Sequence, residues 1–434
     1  MTEYFPAVSA GEKRDTVEFI KSINILIAFL FLVCYSYQVW YLVVPFFKKR
    51  KPARRDVPPH RFAILIAARN EERVIANLID SIHQQEYPSE MVTVFVGADN
   101  CTDSTAETAR KAGAVVYERH NLQQIGKGYV LDFLIQNIWK DYPRNTFDAF
   151  IVLDADNLLD PHYLSAINAA FSEGHPIITS YRNSKNYGQN WISAGYALWF
   201  LRESQYLNRS RMLLSSSCAI SGTGFLVSRE IIEQDGGWKN FLLTEDIEFS
   251  IQHILQGYSI AYCEDAVLYD EQPVKFSQSW RQRMRWAKGF FQVWGCHGRE
   301  LIRTFFCKRC FACYDMIMTI MPALFLSLAD MVICIAWAVM SAGKHIHVFP
   351  LIAAGLFDFI ADMYLPLFLI GVITVITEWK QIHCPGWKKL LYSFTFPLFM
   401  MTYIPIAFCA LFRKVEWKPI EHSCNVPLSE VCKK

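Results

Sequence analysis

The chain has 434 residues, room for two or three domains, and is 52% hydrophobic and 15% aromatic with only 19% charged residues. A net charge of +2 argues against a nucleic-acid binder, and the apolar residues gather in long runs rather than spreading as in a soluble enzyme. Thirteen cysteines follow no secreted-scaffold pattern; Cys307, Cys310 and Cys313 are spaced for zinc but have no matching fourth ligand nearby.

Residues 1–21 are polar and mixed in charge. Residues 22–47 form an uncharged apolar run, long enough to cross ~30 Å of hydrocarbon as a helix. Tyr35, Tyr37, Trp40 and Tyr41 in its second half suit an interfacial belt. The basic cluster Lys48-Lys49-Arg50-Lys51 with Arg54-Arg55 marks the cytoplasmic side. The N-terminus is therefore expected outside, and residues 48–294 form a cytosolic domain.

That domain alternates strand and helix patterns. Strands are expected at Phe62–Ala67, Val92–Gly97 and Val115–Glu118, and helices at Asn70–Gln85, Thr102–Ala112 and Gly128–Asp141. Such alternation predicts a parallel α/β sheet. Ala149–Leu153 is a further buried strand, and it ends at Asp154-Ala155-Asp156-Asn157. Ligands collect at the C-terminal edge of open α/β sheets. Two carboxylates two residues apart can share a hard divalent cation that also grips a diphosphate, or can simply close an Asp-rich turn. Helices are expected at Tyr163–Glu173 and Trp191–Leu214. The turn Ser221-Gly222-Thr223-Gly224, ahead of the strand Phe225–Ser228, lets backbone approach a ligand, though it also reads as a plain tight turn. Thr244 is the expected N-cap of a helix opening on Glu245 and Asp246, and Ser259–Cys263 is a strand.

Ser277–Trp294 reads as an amphipathic helix at the membrane surface. Gln282, Arg285 and Trp286 share one face of it, and an amide, a guanidinium and an indole together suit a diphosphate plus a sugar ring. Residues 295–310 are expected at the interface. Membrane segments are expected at 311–342 and 348–377. Residues 390–412 are apolar, broken by Pro397 and Pro405 and flanked by basic residues on both sides. They cross, or they form a re-entrant or interfacial hairpin that leaves the tail 413–434 cytoplasmic. Asp330, Asp358 and Asp362 lie in these segments and mark either helix packing or a wet pathway.

In order, the motifs are Asn70-Glu71-Glu72, Asp99, Lys127, Asp154-x-Asp156, Gly222-Thr223-Gly224, Thr244-Glu245-Asp246 and Gln282-x-x-Arg285-Trp286. The set resembles the membrane-embedded, processive glycosyltransferases of family 2, which include cellulose, chitin, hyaluronan and poly-N-acetylglucosamine synthases. The resemblance implies a GT-A type α/β fold, flanked by one N-terminal and two or three C-terminal transmembrane helices, in the plasma membrane. It implies a UDP-sugar donor held by Ala68, Asn70, Glu71, Asp99 and Lys127, with Asp154 and Asp156 at the diphosphate and at Mg²⁺ or Mn²⁺. Asp246, with Glu245 beside it in the same motif, would be the catalytic base; Gln282 and Arg285 would steady the leaving UDP; Trp286, Gly222 and Thr223 would meet the acceptor. Arg69 and the Ser-Gly-Thr-Gly turn depart from common forms of the family motifs. The acceptor implied is a growing β-linked polysaccharide, with transfer to a lipid as the alternative and an inactive scaffold as a third reading. With few spans, a partner subunit or a second copy could complete a polymer path.

Overall fold

A computed structural model describes residues 10–49, 56–321, 325–326, 329, 332–333, 336, 349–416, 422 and 426–431. Helix α1 (Ala10–Phe47) starts well before the expected span, and its stretch Ile25–Phe47 is long and apolar enough to cross a membrane. The central domain follows as β1 (Phe62–Ala68), α2 (Ile75–His83), β2 (Val92–Asp99), α3 (Thr105–Lys111), β3 (Val115–Arg119), α4 (Lys127–Asp141), β4 (Ala149–Asp154), β5 (Leu158–Leu159) and α5 (Tyr163–Ser172). It continues with β6 (Ile177–Ser184), α6 (Trp191–Arg202), α7 (Arg209–Leu213), β7 (Phe225–Ser228), α8 (Arg229–Asp235), α9 (Glu245–Gln256) and β8 (Ala261–Asp270). A π-helical stretch, Glu203–Asn208, joins α6 to α7, so the expected helix 191–214 is nearly continuous.

The eight strands form one sheet in the order β3-β2-β1-β4-β7-β6-β8-β5. β3, β2, β1 and β4 are parallel, as expected. Beyond β4 the sheet is mixed, because β7 runs antiparallel to both β4 and β6. Side chains of β1 alternate between two cores. Ala63 and Leu65 pack with Leu131 and Leu134 of α4, while Phe62, Ile64 and Ile66 pack with Leu78 and Ile79 of α2. The chain leaves β1 toward β2 on one side and reaches β4 on the other, so a crevice opens at the C-terminal ends of β1 and β4.

Helix α10 (Phe276–Lys308) is one continuous 33-residue helix, so the interfacial segment expected at 295–310 is its second half. Helix α11 (Phe311–Ile320) opens the segment expected at 311–342; most of the remainder, Asp330 included, lies outside the described residues. Helix α12 (Phe349–Thr377) carries the apolar stretch Ile360–Thr377, with Asp362 exposed on it; the Asp358 side chain is not among those described. Residues 386–412 form α13 (Gly386–Met401) and α14 (Tyr403–Phe412), parted by Thr402 alone. Thr402 keeps helical dihedrals, so the chain does not reverse and the expected hairpin is instead one kinked helix. Its kink has a local cause. Pro405 lacks the N–H that would bond the Met401 carbonyl. Arg283 of α10 fills the bend, donating to the Phe399 carbonyl at 2.9 Å and to the Thr402 hydroxyl at 2.8 Å.

A buried polar network joins the N-terminal helix to the central domain. Arg211 of α7 forms a double hydrogen bond to Asp315 of α11, at 2.8 and 2.9 Å. Tyr37 and Tyr41 of α1 donate to the same carboxylate at 3.0 and 2.9 Å. Four donors on one buried carboxylate satisfy a charge that would otherwise be costly there.

Candidate active site

Strand ends, turns and α10 converge on one pocket. Ala68, Glu71, Asp99, Lys127, Asp154, Asp156, Gly222, Glu245, Asp246, Gln282, Arg285 and Trp286 all line it. Two expected residues do not. Asn70, with φ of 59°, accepts from the Thr102 backbone at 2.8 Å and shapes the loop after β1. The Thr223 side chain is buried; its hydroxyl donates to Asn157 at 2.5 Å and accepts from the Asp154 backbone at 2.9 Å. It therefore holds the end of β4 rather than facing an acceptor.

On the donor side, Asp99 is buried and paired with Arg119 at 2.6 Å. Lys127, at the N-terminus of α4, makes an ion pair with Asp154 and donates to the Gly222 carbonyl at 2.8 Å. It thus ties the end of β4 to the turn at Gly222. Asp156 accepts from the Glu271 backbone at 2.9 Å. Its carboxyl is held below the usual range although burial opposes this, because His422, Lys185 and Arg182 surround it with positive charge. His422 comes from the C-terminal tail. Its Nδ1 lies 3.0 Å from both Glu71 oxygens, and its Nε2 lies 4.0 Å from Asp156. Burial pushes Glu71 up, offset in part by His422, while the facing carboxylates raise His422 to about 10 against its own burial.

Across the pocket, the first turn of α9 presents Glu245 and Asp246. The expected cap is absent, since the Thr244 hydroxyl makes no hydrogen bond among the described residues. The turn is instead set by close packing: a Cβ on Gly289 of α10 would lie 2.5 Å from Thr244, so only glycine lets the two segments meet. Gly222 has φ of +79°, and a Cβ there would lie 3.9 Å from an Asp246 oxygen, so that carboxylate faces the turn. Burial raises Asp246, and burial with the Asp246 charge lifts Glu245 to about 7. The Gln282 side-chain oxygen is buried and has no partner among the described residues. Arg285 donates weakly to the Leu243 carbonyl at 3.4 Å. Trp286 stands edge-on to Tyr196 and Phe200, with centroids 5.8 and 6.2 Å away.

Sequence reasoning missed Arg119, Arg182, Asp270 and His422. Arg182 bonds Asp270 at 2.6 Å and lies 3.6 Å over the Phe200 ring, so it bridges the acidic and aromatic sides of the pocket. Burial lifts Asp270 to about 6, with Arg182 opposing. Arg182 sits on β6, a strand the sequence reading passed over, and His422 lies in a tail with no motif.

Among the described residues no three carboxylate, histidine or cysteine ligands form a ready cage for a metal ion. The donor set still fits a hard divalent cation. Such an ion takes one or two carboxylates from protein and its remaining oxygens from a diphosphate and water. Asp156 stays ionised and buried at the sheet edge, with Asp154 nearby on the same pocket wall.

The family described as "Glycosyltransferase like family 2" matches residues 58–289, more than half of the chain. The chain belongs to this glycosyltransferase family. The transferase is 26% identical over 242 residues to a beta-monoglucosyldiacylglycerol synthase of Nostoc sp., covering 53% of this chain and 49% of that protein. It is 24% identical over 270 residues to a poly-beta-1,6-N-acetyl-D-glucosamine synthase of Staphylococcus epidermidis, covering 57% and 60%. It thus spans about half the length of these curated relatives. Among solved structures, the mannosyltransferase PcManGT of Pyrobaculum calidifontis, in complex with GDP-Man and Mn²⁺, superposes with a TM-score of 0.52. It is 17% identical and covers 91% of this chain and 99% of that one. The fold is therefore GT-A-like, with a mixed sheet, and the three long apolar helices among the described residues fit a membrane-associated enzyme.

Proposed function

We propose that the transferase moves a hexose, glucose or N-acetylglucosamine, from a UDP-sugar onto a growing β-linked polysaccharide, with inversion. One observation carries the reading: Asp246, Gln282, Arg285 and Trp286 line the same pocket as Asp154 and Asp156. The half-buried carboxylate of Asp246, raised by desolvation, is suited to take the proton of an acceptor hydroxyl as it attacks the anomeric carbon. Arg285 and the side-chain NH2 of Gln282 would supply donors for charge gathering on the departing diphosphate. Trp286, steadied edge-on by Tyr196 and Phe200, offers a face for an acceptor sugar. Asp156 and Asp154 would hold Mg²⁺ or Mn²⁺, which when bound neutralises charge on the UDP leaving group. Lys127, already paired with Asp154, stands ready to turn toward the diphosphate.

The catalytic domain is assigned to the cytoplasmic face of the plasma membrane, where UDP-sugars are made, with a partner subunit or second copy completing any polymer path. A second reading, transfer of a single sugar to a lipid, is favoured by α13 and α14. Phe399 packs on Tyr196 beside Trp286, while Phe394, Leu398 and Phe412 of the same kinked helix are exposed, bringing an apolar surface close to the acceptor side. The purified transferase in nanodiscs, given Mg²⁺ or Mn²⁺ and each UDP-sugar separately, distinguishes them. A glycosidase-sensitive product of high mass supports the polysaccharide reading. A product of one added sugar that partitions into solvent supports the lipid reading and overturns the first.

A further inference from the structure

A second cavity, of about 450 Å³, lies away from the active site, between α1, the loop after α7, the end of α9 and the start of α11. Nothing in the transfer reaction uses it. Its walls combine apolar groups, such as Leu214, Phe311 and Ala312, with the hydroxyls of Ser215, Ser216 and Ser259. The Ser216 hydroxyl oxygen lies in the cavity wall, where it interacts with the Tyr41 hydroxyl. Hydroxyls so placed can turn to a ligand as partner.

The position of the cavity narrows what that partner is. Tyr41 of α1 lines it, less than two turns before the apolar run gives way to Lys48 and Lys49. Lys48 is fixed at its edge, with its side chain on the Leu213 carbonyl beside Leu214. From the other wall, Lys308 and Arg309 are exposed directly before Cys310, itself a lining residue. Phe47 and Phe306 are also exposed, at 86% and 74%. Cationic and apolar groups so mixed, at the end of an apolar helix, belong at the headgroup level of a bilayer. Hydroxyl donors in the wall with Lys48 at the edge suit the oxygens of a phosphate ester.

We propose that this cavity binds the phosphate ester of an anionic phospholipid headgroup in the leaflet that faces the catalytic domain. The site does not depend on which sugar is transferred. It does bear on the catalytic domain, because its wall residue Tyr41 bonds Asp315, the partner of Arg211, and the π-helical stretch preceding α7 carries Glu203, which accepts from Ser221 next to Gly222. An occupied cavity would therefore brace the membrane helix, α7 and the acceptor-side turn together.

Native mass spectrometry of the full chain in detergent, titrated with phosphatidylglycerol or phosphatidylcholine, tests this. The expected result is one retained phosphatidylglycerol, preferred over phosphatidylcholine by about tenfold, the weight of a charge-assisted hydrogen bond. Ser216→Asp, which sets a negative charge in the cavity, should abolish that preference. Ala312→Trp, which fills the space without charge, should lower retention of the bound lipid and serves if the aspartate variant does not fold. Competition by soluble glycerol phosphate at millimolar concentration would keep the phosphate site but assign it to a free ester, overturning the lipid source. Equal retention of the two lipids, unchanged in both variants, overturns the site itself.

Discussion

The pocket assigns opposite electrical tasks to neighbouring carboxylates. Asp156 is kept ionised by the cations around it, whereas Glu245 and Asp246 are driven toward their neutral forms by burial. A base must be ionised to accept a proton, so activity should fall as pH drops through the raised value of Asp246. Glu245 and Asp246 titrate as a pair, so Glu245→Gln, which removes one negative charge beside the base, should move this acidic limb down by roughly one pH unit. A kcat/KM profile over pH checks it, and a limb left in place would detach Glu245 from the base. Asp246→Asn should retain UDP binding, read by calorimetry, and lose turnover by more than ~10²-fold, the weight of general base catalysis. Arg119 has a different role. It is the buried partner of Asp99, so Arg119→Leu strands a carboxylate in the interior and should cost about 3–5 kcal/mol of stability in a denaturant titration.

Among the elements, the kinked helix α13–α14 carries a prediction about sidedness. Its start is tied down where Lys388 donates to the Gly188 carbonyl at 2.8 Å. At its centre, a Cβ on Gly195 of α6 would lie 2.3 Å from the Phe399 ring. Near its end, Ala407 and Ala410 pack on Ala287 of α10. From these three anchors, and a tail whose His422 reaches the pocket, both ends of the helix are expected on one side of the bilayer although its composition would let it span. A protease site inserted after Lys414 should therefore be cut from the same membrane face as one inserted after Asp56; cutting from the opposite face would mean a crossing. The parallel half of the sheet was legible in the sequence because Phe62–Ala68, Val92–Asp99 and Ala149–Asp154 are buried apolar runs ending in polar groups. The mixed half was less so. Strand β6 (Ile177–Ser184) turns polar after Ile178, since it carries Arg182 and Asn183 toward the site and the C-terminal helices, and a strand built to bear polar contacts has no apolar signature. The turn motifs were found by residue type, but Thr223 was given to the acceptor because its hydroxyl, spent on Asn157 and Asp154, is a matter of tertiary contact that spacing does not carry.

At the scale of the whole molecule, both ends of the described chain are tied to the central domain. The N-terminal helix is locked to α7 and α11 through Asp315, and the tail folds back so that Val431 packs with Leu158 and Tyr269 on the outer strands. His422 is the only part of that tail to line the pocket among the described residues, and it stands between Glu71 at the end of β1 and Asp156 beyond β4. Its positive charge is therefore delivered to the crevice where the strand order reverses, the place at which a diphosphate would need it. Without it, Glu71 and Asp156 would face the donor with less positive charge beside them. His422→Ala should accordingly weaken UDP binding by about tenfold, the weight of one charge-assisted contact. The loss should persist in EDTA, because it arises from charge on the protein rather than from an ion. Calorimetry with UDP, run with Mn²⁺ and again with EDTA, separates these terms. Unchanged affinity in both conditions would make the tail a structural strap over β5 and β8, and a loss confined to Mn²⁺ would make His422 a partner of the metal instead of the phosphates.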